Sequence, residues 1–162
     1  KVKEFEIRVE KIDEGQNFTT VVDYAHTPDS LEKFYRVFKG TRKICVLGNT
    51  GGGRDVWKRD EMAKIAERDC DEIILTNEDP YDDDPMQIIT DMAGAITEKK
   101  PHIVMDRREA IKLALSIASV GDSVLITGKG TDPYIMGPNN SKIPWSDAEV
   151  VREELLKLNK KM

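Results

Sequence analysis

At 162 residues the chain has about the length of one domain, enough to bury a proper core. Charged residues make up 34%, and the net charge of -5 argues against a dedicated nucleic-acid binder, which needs a basic face. No apolar run approaches the length of a membrane span and no secretory signal precedes the first strand, so a cytoplasmic protein without a membrane partner is expected.

Along the chain, hydrophobic runs of strand length alternate with segments of helical period, the pattern of an α/β domain. "EFEIRVEKI" and "FTTVVDY" flank the turn "DEGQN" and read as a hairpin leading into the main sheet. "TPDSLEKFYRVF" follows as a helix, with Thr27 as N-cap and Pro28 at the first helical position. Its Leu31, Phe34, Tyr35 and Phe38 recur at i, i+3, i+4 and i+7, one buried stripe. Then come strand "KICVLG", a helix from about Asp55 to Arg68, strand "EIILT", and a helix around "MQIITDMAGAI". Strand "HIVM", helix "REAIKLALSIA" and strand "SVLIT" complete the alternation. A tail helix starts at Ser146 with Glu149 at capping-box spacing, and its Val151, Leu155 and Leu158 can dock on the sheet. The expected fold is Rossmann-like: a mostly parallel sheet with helices on both faces, an N-terminal hairpin strand, and one domain over residues 1–162. Cys45 and Cys70, far from any CxxC or histidine cluster, read as reduced, partly buried thiols.

The unusual polar groups fall just after strands: "DYAHTP", "GNTGGGRD", "NEDPYDDDP", "DRR" and "GKGTDPY". In an open parallel sheet, ligands bind beyond the carboxyl ends of the strands, so five loops would surround one cleft. Each cluster also has a plainer reading. Asp23 and His26 can be a turn-capping carboxylate beside a surface imidazole, or a contact to an oxygen anion. Three glycines before Arg54 suit an anion, yet the Lys-Ser/Thr pair of a phosphate-binding loop is missing. "DDD" at 82–84 is either a solvated helix start or part of the cleft. His102 reads as structural, and Trp57 and Trp145 as packing residues with one wet edge.

Taken in order, "RVEKIDEGQNF", "VVDYAHTPDSL", "GNTGGGRD..KR", "DR..AI" and "GKG" resemble the C-terminal domain of the Mur ligases over essentially the whole chain. The wording is most similar to the branch that adds the third residue of the peptidoglycan stem peptide. The resemblance implies an ATP-dependent amide-bond ligase acting on a UDP-muramoyl peptide, with ATP and Mg²⁺ held mainly by an upstream ATPase domain. A UDP-sugar domain would also lie upstream. Opening on Lys1, the chain is expected to be a piece of that longer enzyme, inactive alone and binding no cofactor tightly. Its glycine turn would then seat the carboxylate of the incoming amino acid rather than a nucleotide. By resemblance, Arg8, Asp23 and His26 face ATP, although Ile7 stands where the family has glycine. Arg54, Asp79, Tyr81, Lys129, Gly130 and Asp132 fall on the amino-acid pocket, with Lys129 and Gly130 in the loop that closes it.

Two departures bear on the substrate. Members adding diaminopimelate read Asp-Asn-Pro-Arg where this chain has Glu78-Asp79-Pro80-Tyr81, and Gly-Lys-Gly-His-Glu where it has Gly128-Lys129-Gly130-Thr131-Asp132. Tyr81 cannot reproduce a bidentate guanidinium clamp, whereas Glu78, Asp79 and Asp82 suit an ammonium. Lysine or ornithine is therefore expected over meso-diaminopimelate. The alternatives are a folylpolyglutamate- or cyanophycin-type ligase domain, or a relative that binds a ligand or partner without catalysis.

Overall fold

The computed structural model describes residues 9–53, 56–130 and 132–160. Arg8 and Arg54 lie outside those residues, as does Thr131.

The strands are β1 (Val9–Lys11), β2 (Thr19–Asp23), β3 (Lys43–Leu47), β4 (Glu72–Leu75), β5 (His102–Ile103) and β6 (Ser123–Thr127). They form one sheet in the order β1-β2-β6-β3-β4-β5. β1 pairs antiparallel with β2, as a hairpin strand must; every other pairing in the sheet is parallel. The helices are α1 (Pro28–Val37), α2 (Trp57–Asp69), α3 (Pro85–Gly94), α4 (Arg107–Ile117) and α5 (Asp147–Lys160).

Pleating divides the core in two. Val21, Cys45, Leu47, Ile73, Leu75 and Leu125 face α1, α2 and α3. Their strand neighbours Val22, Ile44, Val46, Ile74, Val124 and Ile126 face α4 and α5. Both sides being covered, the central strands are continuous apolar runs rather than alternating ones. Each fully buried Leu or Ile contributes about 1.5–3 kcal/mol, so these two layers carry most of the fold's stability.

Local chemistry sets where the helices begin. Thr27 accepts from Ser30 N at 3.2 Å while Ser30 Oγ accepts from Thr27 N, and Pro28 occupies the first turn. Asp84 caps α3 at Met86 N, Asp106 caps α4 at Glu109 N, and Ser146 Oγ accepts from Glu149 N ahead of α5. α1 buries Leu31, Phe34 and Tyr35, with Phe38 packed at the edge of the same cluster.

Two expectations need correcting. Cys45 and Cys70 are not free thiols but a disulfide, with Cα atoms 6.2 Å apart and both side chains buried. Cys45 points from the middle of β3 to the α2 face, and Cys70 closes α2 directly above it; a separation of 25 residues conceals this meeting. The region after β6 is also no simple loop. β7 (Tyr134–Met136) and β8 (Lys142–Pro144) form a separate antiparallel pair around a 3-10 turn at Pro138–Asn140.

Candidate functional site

The parallel strands all end at one edge, and the loops that leave it build a cleft with a cavity of about 320 Å³. Tyr24 and His26 line it after β2, and Asn49 and Thr50 after β3. Lys58 enters from the first turn of α2, Asp79 and Tyr81 follow β4, and Asp132 follows β6. Thus His26, Asp79, Tyr81 and Asp132, expected from sequence, meet in one place. Tyr24, Asn49, Thr50 and Lys58 are additions; they stand within the quoted motifs, where residue type alone does not mark them out.

Among the described residues, four loops line the cavity, not five. The loop after β5 sends Arg107 inward instead, where it is almost wholly buried. Its Nε and Nη2 donate to the two oxygens of Asp147 at 2.9 and 2.8 Å, and its remaining bonds go to the carbonyls of Asn77 and Thr127. Arg107 therefore ties α5 to the ends of β4 and β6 beneath the cleft. Trp145 Nε1 completes Asp147 at 2.6 Å, which fixes that indole, whereas Trp57 is largely exposed.

Lys129 is fully buried and does not line the cavity. Its Nζ donates to both oxygens of Asp79 at 2.7 and 2.8 Å and to Asp132 Oδ2 at 3.0 Å. All three ammonium donors are used, so the lysine stands behind the wall and presents the two carboxylates. Asp79 Oδ1 also accepts from Met136 N at 2.8 Å, and Tyr81 N donates to the carbonyl of Met136, which seats the β7–β8 pair against the cleft. Asp82 accepts from Asn139 N at 2.7 Å, and Asp83 lies 3.4 Å from the buried Arg59. The acidic run is thus a docking strip as well as a helix start.

The glycines serve loop packing. A Cβ on Gly51 would strike the carbonyl of Pro80, and one on Gly128, at φ 107, would strike the carboxyl of Glu78. Gly130 abuts the backbone of Tyr24, directly behind the cavity wall. Glu78 is buried, accepts from Thr50 Oγ1 at 2.8 Å, and has its pKa pushed up by burial, against the pull of the nearby Arg107 guanidinium. Tyr81 holds φ 53, costly for a non-glycine residue, and such strain clusters at binding sites. Asp23 is buried at the end of β2. His26 Nδ1 donates to the Tyr24 carbonyl at 3.0 Å, so the neutral ring offers Nε2 as an acceptor, and donation from Nε2 requires the imidazolium. His102 pairs with Glu72 at 3.2 Å, far from the cleft loops, as a structural residue.

Residues 7–130 match the family model described as Mur ligase, glutamate ligase domain. The chain is 46% identical over 150 residues to the UDP-N-acetylmuramoyl-L-alanyl-D-glutamate--2,6-diaminopimelate ligase of Geobacillus kaustophilus, covering 90% of this chain and 30% of that protein. It is 37% identical over 165 residues to the UDP-N-acetylmuramyl-tripeptide synthetase of Borreliella burgdorferi, covering 98% and 32% respectively. A solved UDP-N-acetylmuramoyl-L-alanyl-D-glutamate--2,6-diaminopimelate ligase superposes with a TM-score of 0.86 at 34% identity, over 94% of this chain and 32% of that one. The chain spans about a third of the length of these relatives. With this fold, this order of motifs and these identities, the chain belongs to the Mur ligase family and corresponds to its C-terminal domain.

Proposed function

We propose that this chain is the amino-acid-receiving domain of a longer ATP-dependent ligase that adds a diamino acid to UDP-N-acetylmuramoyl-dipeptide in peptidoglycan synthesis. Residues 1–162 act as one domain, and ATPase and UDP-sugar domains precede it in the full enzyme. The observation that carries this reading is the cleft itself, where Asp79 and Asp132 are held at the wall by the buried Lys129. ATP with Mg²⁺, bound mainly by the ATPase domain, supplies the activated acyl group that the incoming amine attacks. Among the described residues, the cleft lining offers His26 and Lys58 as cationic or potentially cationic side chains, and they face two carboxylates. That lining suits the edge of a nucleotide and an amino acid, not a whole triphosphate.

Within the cleft the residues divide the amino acid by charge. Lys58 meets the α-carboxylate; Arg54, which the family resemblance assigns to the same group, lies outside the described residues. Asp79 and Asp132 share one lysine, which leaves about one negative charge to receive a distal ammonium. Tyr81 lines the cavity where a guanidinium would be needed to clamp a second carboxylate. The substrate is therefore lysine or ornithine in preference to meso-diaminopimelate.

Steady-state kinetics of the full-length enzyme with the three amino acids test this. Lysine or ornithine should exceed diaminopimelate in kcat/KM by about tenfold to a hundredfold, the worth of one charged hydrogen-bond pair. Tyr81→Arg should narrow or reverse the preference. A wild-type enzyme that favours diaminopimelate would refute the assignment.

A further inference from the structure

We propose a second binding site at the amino-terminal edge of the sheet, opposite the cleft, for a small phosphate-type oxyanion. A cavity of about 440 Å³ opens there, larger than the cleft cavity. It forms where the ends of α1 and α2 meet the start of β3, and Arg36, Lys39, Lys43, Arg68 and Asp69 line it around the ring of Tyr35. Four cations on one cavity stand out in a chain of net charge -5.

Their local carboxylates do not balance them. Glu32 is shared between Arg36, at 3.2 Å, and Arg68, at 2.7 Å. Asp69 is bonded by Arg68 at 2.8 Å, which holds its carboxyl below the usual range. Two carboxylates, with Asp71 beside them on the Lys43 backbone N–H at 2.8 Å, thus face four cations.

Lys43 decides the case. It is 8% exposed, and among the described residues its ammonium is hydrogen-bonded to carbonyls and to no carboxylate, with Asp69 acting on it only as a nearby charge. It donates to the carbonyls of Phe38 at 3.3 Å and Thr41 at 3.2 Å. Those bonds use two donors at the carboxyl end of α1, where the helix dipole favours a cation. The third donor remains, and the charge is met only at longer range by Asp69, a carboxylate already bonded by Arg68. An oxyanion in the cavity would accept that donor, while Arg36 and Lys39 at the exposed rim would draw it in. Inorganic phosphate and the terminal phosphates of a nucleotide present the same tetrahedral oxygens.

The test is an amide NMR titration of the 162-residue chain with inorganic phosphate, pyrophosphate and ADP at low ionic strength. Saturable shifts at Lys39, Lys43, Asp69 and Cys70, with Kd about 1 mM or tighter for at least one probe, are expected. Saturation by phosphate identifies the free anion as sufficient; saturation by pyrophosphate and ADP alone identifies a phosphate chain. Lys43→Met should abolish saturation. Because that variant alters a buried position, Arg36→Gln with Lys39→Gln at the rim provides the second reading, a several-fold weaker Kd with the other amide resonances unmoved. Shifts confined to Tyr24, Thr50 and Asp79 would overturn the proposal by placing the anion in the cleft. Shifts that rise linearly, match those from chloride and ignore both sets of substitutions would overturn it too, leaving Lys43 as a helix cap alone.

Discussion

Lys129 shows how far a residue's type and neighbours fall short of its role. A lysine between two glycines says little by itself, and the family resemblance puts it in the loop closing the amino-acid pocket, but here its three donors are taken by Asp79 and Asp132. Lys129→Met would leave two carboxylates facing each other without a cation. Removing one partner of a buried ion pair costs about 3–5 kcal/mol, so chemical denaturation should register a loss of that size. An unchanged midpoint with a weakened amino-acid KM in the full enzyme would return Lys129 to direct ligand contact. Glu78 makes a prediction with pH. Burial raises its pKa above the ordinary 4.5, so the folded chain holds that proton to higher pH than the unfolded chain. Over that window the folded state binds more protons, stability falls as pH rises, and the loss persists at neutrality. Glu78→Gln, which keeps an acceptor for Thr50, should therefore stabilise the chain at neutral pH, with the gain shrinking towards zero below pH 4.5. Urea denaturation across that range measures it, and a gain independent of pH would assign the effect to packing.

At the level of elements, the helix starts were readable because a cap is a local transaction. Thr27 with Ser30, and Ser146 with Glu149, lie within one turn, and a hydroxyl at that spacing finds an unsatisfied backbone N–H wherever the helix goes. The β7–β8 pair was missed although Gly137, Pro138, Asn139 and Asn140 form a turn cluster between two short apolar runs. Three-residue strands offer too little periodicity to stand out, and besides its own ladder this pair is anchored to the cleft loops through Asp79, Tyr81 and Asp82. The Cys45–Cys70 bridge likewise joins two elements whose meeting depends on the path of α2 across the sheet. Closing a 25-residue loop in the unfolded chain is worth about 3.5 kcal/mol on the chain-entropy model. Thermal unfolding with and without a dithiol reductant should show a drop of that order, and Cys45→Ala should reproduce it without reductant. Equal melting temperatures would show that the pair contributes through packing alone.

For the whole molecule, the question is how much of a ligase this chain is. It covers about a third of its relatives' length, and on the reading proposed above it supplies one wall of a site. The purified 162-residue chain should therefore show no ATP-dependent ligation, while the full-length enzyme does; turnover by the chain alone, followed as phosphate release dependent on amino acid, would contradict the division of labour proposed above. The sequence by itself determined the α/β class, the parallel sheet with its leading hairpin strand, the helix boundaries to within a turn, and the edge at which the polar loops gather around a cleft. These follow from hydrophobic period, capping and the rule that strand ends carry the polar loops, all readable over a few residues. It also brought His26, Asp79, Tyr81 and Asp132 to one cleft, since each follows a strand that ends on the same edge. Only the tertiary structure decided which charges in those loops are spent. Arg107 and Lys129 look from sequence like ligand-seeking cations, yet partners 40 and 50 residues away in the chain bury them. Charge neutralisation in a dry interior depends on what lies within a few ångströms in space, and sequence spacing does not carry that distance.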